Sequence, residues 1–210
     1  MDSCVIFGAA QFDTLLAPIG AADTVIAADG GLAHTQKLGI TPHIILGDFD
    51  SLGYVPSGAR VYPVEKDDTD SMLAVRKGLA LGCRRFILYG ALDGPRLDHT
   101  VANLQTLLFL ADRGARGFLV GKDQIVTAIK DETVVFPAGF TGTVSLFCLG
   151  EKAEGVTIRG LHYSLENGTL DSSFPLGVSN HFTGAEASVT VEKGSLIAIY
   201  DTRNGLLPED

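Results

Sequence analysis

An α/β domain with a mostly parallel sheet, followed by a small all-β sandwich, is the fold class the sequence predicts. From Ser3 to Val120, short apolar runs alternate with segments of helical periodicity, the order expected of parallel strands joined by helical crossovers. After Gly121 the helical periodicity stops, and short β-type runs separated by Gly, Pro and Asn turns succeed one another, the texture of an antiparallel sandwich or barrel. The chain has 210 residues, 46% of them hydrophobic and 20% charged, which suffices for one ordinary domain plus a smaller one and argues against disorder.

In the first part the expected strands are Cys4 to Phe7, Thr24 to Ala28, His43 to Leu46, Arg60 to Val64, Arg85 to Tyr89 and Gly117 to Val120. The best helices are Thr69 to Leu81 and Asp98 to Asp112; the latter carries Val101, Leu104, Leu108 and Ala111 at helical spacing and meets Gly114 as a stop. That stripe predicts a largely buried helix that belongs to the core. In the second part the expected strands are Gln124 to Ile129, Thr133 to Phe136, Thr143 to Leu149, Val156 to Arg159, Ala187 to Glu192 and Ser195 to Tyr200. The uncharged stretch Thr133 to Gly150 is long enough to raise the question of a membrane span, but Pro137, Gly139 and Gly142 break it into two β-type runs, read as a hairpin. The domain boundary is expected near Gly121 to Lys130, giving domains 1–122 and 123–210.

Sixteen Lys and Arg against 25 Asp and Glu give a net charge of −9, so a nucleic-acid partner, which needs a basic surface, is not expected. Cys4, Cys83 and Cys148 are odd in number and far apart, which suggests neither a disulfide framework nor a zinc site. A reducing cytoplasm is the expected setting. Asp2 stands where an export signal would carry a basic residue, so no such signal and no membrane partner are expected.

Thirteen acids lie between residues 1 and 122, and nine of them fall into four short windows, each after an expected strand. The windows are Ala28-Asp29-Gly30-Gly31, Gly47-Asp48-Phe49-Asp50-Ser51, Glu65-Lys66-Asp67-Asp68-Thr69-Asp70, and Gly90 to Asp98 with Asp93, Arg96 and Asp98. In an open parallel sheet, ligands bind outside the carboxyl ends of the strands, so the four windows would converge on one crevice. Gathered carboxylates repel one another unless positive charge is supplied. An oxygen-only donor set favours magnesium, which binds through one or two carboxylates plus substrate phosphates, and phosphoryl chemistry follows. Gly117 to Asp123 lacks the spacing of a P-loop and GxGxxG is absent, so a nucleotide would be held by other means. Gly30-Gly31 before a helix offers main-chain N–H groups to phosphate oxygens.

Each window also has a purely structural reading: a strand-to-helix turn at Asp29, a turn and cap at Asp48 and Asp50, a cap at Asp68 or Thr69 with Asp70 in the favoured first turn, and a helix start at Asp98 with Arg96 as its salt partner. Their joint placement after consecutive strands is what points to a site. Gly177-Val178-Ser179-Asn180-His181 lacks the second glycine of a nucleophile elbow, and the five histidines show no ligand spacing.

In that order the windows resemble the ADGG, GDFDS, D-x-T-D and R-[LF]-D-x motifs of the thiamine pyrophosphokinase family, the last carried by Arg96-Leu97-Asp98-His99 with Asn103. Gly160-Leu161-His162-Tyr163-Ser164-Leu165 and Val178-Ser179-Asn180 resemble segments of the same family's β domain, so the likeness runs through nearly the whole chain. The resemblance implies an α/β catalytic domain that binds ATP and Mg2+, and a β-sandwich for thiamine binding and dimerisation. It implies a homodimer whose sites lie between one subunit's α/β domain and the other's sandwich, and transfer of pyrophosphate from ATP to the thiamine hydroxyl. On it, Asp48, Asp50 and Asp70 are assigned to metal and catalysis, Asp98 to the metal network or the substrate hydroxyl, Asp29, Gly30, Gly31, Thr69 and Arg96 to ATP, and Ser179 and Asn180 to thiamine. Two departures stand out: Gly90 to Pro95 is one residue longer than the family's glycine loop, and the chain has no Trp to stack on thiamine. The alternatives are a non-catalytic nucleotide or thiamine-diphosphate sensor on the same scaffold, which would lack the metal carboxylates, and a magnesium-dependent phosphatase, which would have no need of the sandwich.

Overall fold

A computed structural model describes residues 3–50, 53–63, 65 and 67–208; Ser51, Val64 and Lys66 of the windows and strands above lie outside them. The chain divides into two compact units, Met1–Lys122 and Asp123–Asp210.

In the first unit the described residues form six parallel strands of one sheet, β1 (Ser3–Phe7), β2 (Thr24–Ala28), β3 (Ile44–Gly47), β4 (Arg60–Val61), β5 (Arg85–Tyr89) and β6 (Arg116–Val120). Their order is β6-β5-β1-β2-β3-β4. The chain runs outward from β1 to one edge and then returns for β5 and β6, so the order reverses beside β1. Helices α1 (Gly31–Lys37), α2 (Asp70–Ala80) and α3 (Leu97–Ala111) connect the strands. Cys4, Phe86 and Gly117 share one row across β1, β5 and β6. A side chain at Gly78 of α2 would strike Cys4 and Phe86, and one at Gly117 would strike Leu107 and Leu110 of α3. Hence α2 and α3 lie together on one face of the sheet.

Helix α2 starts where the sequence places it: Thr69 is extended and its Oγ1 accepts from the Met72 N–H at 3.2 Å. Helix α3 is rotated from the expected stripe. Its buried residues are Asn103, Thr106, Leu107 and Leu110, while Val101 is 48% exposed. One residue of offset turns a helix by about 100°, and the absent side chain at Gly117 provides the notch that receives Leu107 and Leu110. The strand expected at 60–64 is only the two-residue β4 among the described residues.

The second unit has two antiparallel sheets. One is β12-β9-β14-β7, from β7 (Gln124–Lys130), β9 (Thr143–Cys148), β12 (Asn180–His181) and β14 (Ser195–Asp201). The other is β11-β10-β13-β8, from β8 (Thr133–Phe136), β10 (Lys152–Arg159), β11 (Leu165–Asp171) and β13 (Ala187–Thr190). Phe136 of one sheet meets Tyr200 of the other edge to face at 5.8 Å, with Phe140 and Phe182 completing the apolar filling. Thr133 to Gly150 is therefore not a hairpin: β8 pairs with β13, and β9 with β14 and β12. Phe140, in the connection, is buried against Phe136 and Phe182 and draws the chain from one sheet across to the other. Strand β11 escaped the sequence reading because only Leu170 of its seven residues is buried, so an edge strand there needs no apolar alternation.

Candidate active site

Strands β2 and β3 are parallel neighbours with Ala28 opposite Leu46, so the residues after them emerge side by side. Asp29 adopts φ 45° and donates its N–H to the Leu46 carbonyl at 2.8 Å, tying the two exits together. Gly47, at φ 149°, passes so close that a Cβ there would sit 3.0 Å from the Asp29 Cα. The next residues turn sharply: Phe49 has φ 60° and buries its ring, while the Asp50 N–H points to the Asp48 carboxylate at 3.4 Å. Asp29, Asp48 and Asp50 thereby offer carboxylate oxygens within 4.8 Å of one another. Oxygen donors alone at this spacing suit a hard divalent ion better than zinc or copper.

Asp29 joins Asp48 and Asp50 in that group, and Asp70 does not. Asp70 stands instead in the first turn of α2, behind its Thr69 cap. Glycine at 31 is required by close approach, because a Cβ there would lie 1.8 Å from the Phe7 carbonyl oxygen. The start of α1 can thus lie against β1 with Gly30 at its N-cap.

After β5, Arg96 and Asp98 form an exposed ion pair at 2.6 Å. The hydrogen bond from Arg96 is the main cause that holds the Asp98 carboxyl below its ordinary value, and the pair raises Arg96 in turn. Arg96 also feels the charge of Asp50, which links the loops after β3 and β5 electrostatically. The Gly90 to Pro95 loop is fastened along its length: the Ala10 N–H donates to the Gly90 carbonyl at 3.0 Å, Asn103 donates to the Ala91 carbonyl at 2.8 Å, and Asp93, at φ 58°, accepts the Lys122 N–H at 2.8 Å. The Asp93 carboxylate thus serves the main chain in the longer loop.

In the second unit Ser179 has φ 60°, and its N–H donates to Ser145 Oγ at 3.0 Å. The Asn180 side chain is buried and bound to main chain. Its Oδ1 accepts from Tyr163 and His181 at 2.9 and 2.8 Å, and its Nδ2 donates to the Tyr163 carbonyl at 2.7 Å. Asn180 therefore joins the two segments singled out in the β domain. Tyr163, 61% exposed and edge-on to His162 at 4.6 Å, is an aromatic surface that this junction holds in place.

Residues 17–119 match the family model for the thiamin pyrophosphokinase catalytic domain, and residues 129–196 match that for the thiamin pyrophosphokinase vitamin B1 binding domain. The chain belongs to the thiamine pyrophosphokinase family. Its enzymatic class is that of the family, thiamine diphosphokinase. Among solved structures it is similar to the thiamine pyrophosphokinase of Bacillus subtilis, with TM-score 0.81 and 22% identity over 96% of this chain and 99% of that one. The Geobacillus thermodenitrificans thiamin pyrophosphokinase gives TM-score 0.77 and 25% identity over 96% and 97%. The yeast enzyme, at 14% identity, keeps the fold with TM-score 0.75 over 98% of this chain and 88% of that one. No curated protein sequence matches the chain. The Asp29, Asp48 and Asp50 carboxylates, with Asp70, Arg96 and Asp98, lie within the part matched to the family's catalytic domain.

Proposed function

We propose that the chain transfers the diphosphoryl group of ATP to the hydroxyl of thiamine, releasing AMP and thiamine diphosphate. The observation that carries this reading is the group of three carboxylates within 4.8 Å, at the carboxyl ends of adjacent parallel strands and inside the catalytic-domain match. A non-catalytic sensor would have no use for it. Asp29, Asp48 and Asp50 would hold magnesium, with Asp70 at the entrance to α2. Magnesium bound there would neutralise charge on the transferring phosphates and leave water on its remaining positions.

The residues of the chain supply the positioning. The N–H groups of Gly30 and Gly31 face phosphate oxygens, and Arg96 contributes a planar fork of donors to the same anion. Asp98, kept ionised by Arg96, accepts from the thiamine hydroxyl and orients its oxygen toward the β-phosphorus. Thr69 fixes the start of α2 and with it the place of Asp70. In the second unit, Ser179 and the Tyr163 ring meet thiamine, Tyr163 in place of the missing Trp, while Asn180 keeps both in register. The working enzyme is a cytoplasmic homodimer in which the partner subunit supplies the Ser179 segment. Among the described residues no helix is long and apolar enough to cross a membrane.

The test is product analysis after incubation with ATP, magnesium and thiamine. AMP and thiamine diphosphate are expected. ADP with thiamine monophosphate, or no turnover, would overturn the reading.

A further inference from the structure

Positive charge is scarce in this chain, yet it gathers around α2 and the turns that follow α2 and α3, where Asp68 of the third acidic window is the acid that reaches it. Between residues 76 and 85 stand Arg76, Lys77, Arg84 and Arg85 with no acid among them, and Arg113 and Arg116 follow the end of α3, where Asp112 is the neighbouring acid. Arg84 and Arg113 lie in the turns that lead from α2 into β5 and from α3 into β6, at the amino ends of those strands. The acidic loops leave the carboxyl ends. Since α2 and α3 share one face of the sheet, these turns come together.

There Arg76, Leu79, Arg84, Phe109 and Arg113 line an open cavity of about 340 Å³. The guanidinium carbons of Arg113 and Arg76 stand 3.5 and 5.1 Å from the centre of the Phe109 ring, which holds both groups at the wall. Arg113 donates one N–H to the Phe109 carbonyl at 3.0 Å, and Arg84 donates one to the Cys83 carbonyl at 2.9 Å. Among the described residues neither forms an ion pair with a carboxylate. Arg76 pairs with Asp68 at 3.0 Å. A guanidinium has five donors, so each keeps several to offer after these contacts.

We propose that this cavity is a binding site for a small phosphate-bearing anion, separate from the acidic site and assigned by nothing in the family match. Three guanidinium groups around an apolar floor recognise phosphate through planar, charge-assisted hydrogen bonds. Three of the five lining side chains are arginines, a lining that suits a phosphate or diphosphate group. Asp68 is the carboxylate that competes with it for Arg76.

The experiment is calorimetric titration of the full chain, stripped of divalent metal on a chelating resin, with inorganic diphosphate, with AMP and with thiamine diphosphate in separate arms at low ionic strength. Without metal the acidic loops repel these anions, so binding there is suppressed. One saturable site per chain is expected, weakened about tenfold or more in Arg84→Gln and in Arg113→Gln, since each removes charged hydrogen bonds, and tightened in Asp68→Asn. Tightest binding of inorganic diphosphate, weakened in the Arg variants, would identify the bare anion as the ligand; tighter binding of AMP or thiamine diphosphate would identify a phosphoester only where the Arg variants weaken it, and where they do not it reports the acidic site. Thermal melts of the two Arg variants that match wild type would show that weakened binding is not unfolding. Absence of saturable binding in all three arms, or binding unchanged in both Arg variants, would overturn the proposal and leave the arginines as partners of the α2 and α3 dipoles. The outcome is independent of whether the chain turns over thiamine.

Discussion

Replacing Asn180 by Ala removes three hydrogen bonds at once, two N–H groups accepted by Oδ1 and the Tyr163 carbonyl served by Nδ2. Each such bond contributes about 1 kcal/mol net, and a partner left buried and unsatisfied costs about 1–3 kcal/mol. Asn180 is buried, but Tyr163 is largely exposed, so its main chain can recover water when the amide is gone. The expected loss is therefore about 2–4 kcal/mol of stability in the second unit. Asn180→Asp keeps the acceptor and loses the donor, and should fall between wild type and Ala. The assay is urea denaturation followed by far-UV circular dichroism, with steady-state kinetics under native conditions. Loosening of the junction should raise the thiamine KM several-fold and leave the ATP KM unchanged, because Tyr163 and Ser179 belong to the second unit and the ATP contacts to the first. A stability change below about 0.5 kcal/mol, the usual range for an exposed substitution, would refute the hydrogen-bond reasoning. Equal rises in both KM values would refute the assignment of this junction to thiamine.

Asp48→Asn and Asp50→Asn are each expected to lower turnover at least ~100-fold, the usual cost of losing one charge-stabilising contact, with far-UV circular dichroism unchanged; near-normal turnover in both would count against the metal assignment. The hydrogen bond from Arg96 holds the Asp98 carboxyl below its ordinary value, so the pair's contribution is complete above that ordinary value and is lost as pH falls through the lowered one. In Arg96→Gln the Asp98 titration, followed by carboxyl 13C NMR, should move to higher pH, and an unmoved midpoint would show that the ion pair is not formed in solution. Gly31→Ala places a methyl 1.8 Å from the Phe7 oxygen; it should depress the melting temperature and abolish activity, and a variant with wild-type melting and turnover would show that α1 does not lie against β1 as described.

The sequence alone determined the features that depend on neighbours along the chain. The alternation of apolar runs and helical stretches determined the order of strands and helices in the first unit, and Thr69 announced the start of α2 because a hydroxyl three residues before Met72 N–H is a local device. The ADGG and GDFD segments were legible for the same reason: their glycines and acids answer to tight turns at strand ends. Tertiary structure alone decided what depends on which strands lie side by side. Asp29 meets Asp48 and Asp50 because β2 pairs with β3, and strand pairing leaves no mark on residue spacing. The same holds for the crossing of β8 and β9 into separate sheets, set by the burial of Phe140 in their connection. Helix α3 shows Leu on several sides, and only the notch at Gly117 selected Leu107 and Leu110 for burial. Arg113 is distant in sequence from Arg76 and Arg84; the three line one cavity, with Arg76 and Arg113 over Phe109, because right-handed crossovers put α2 and α3 on one face of the sheet.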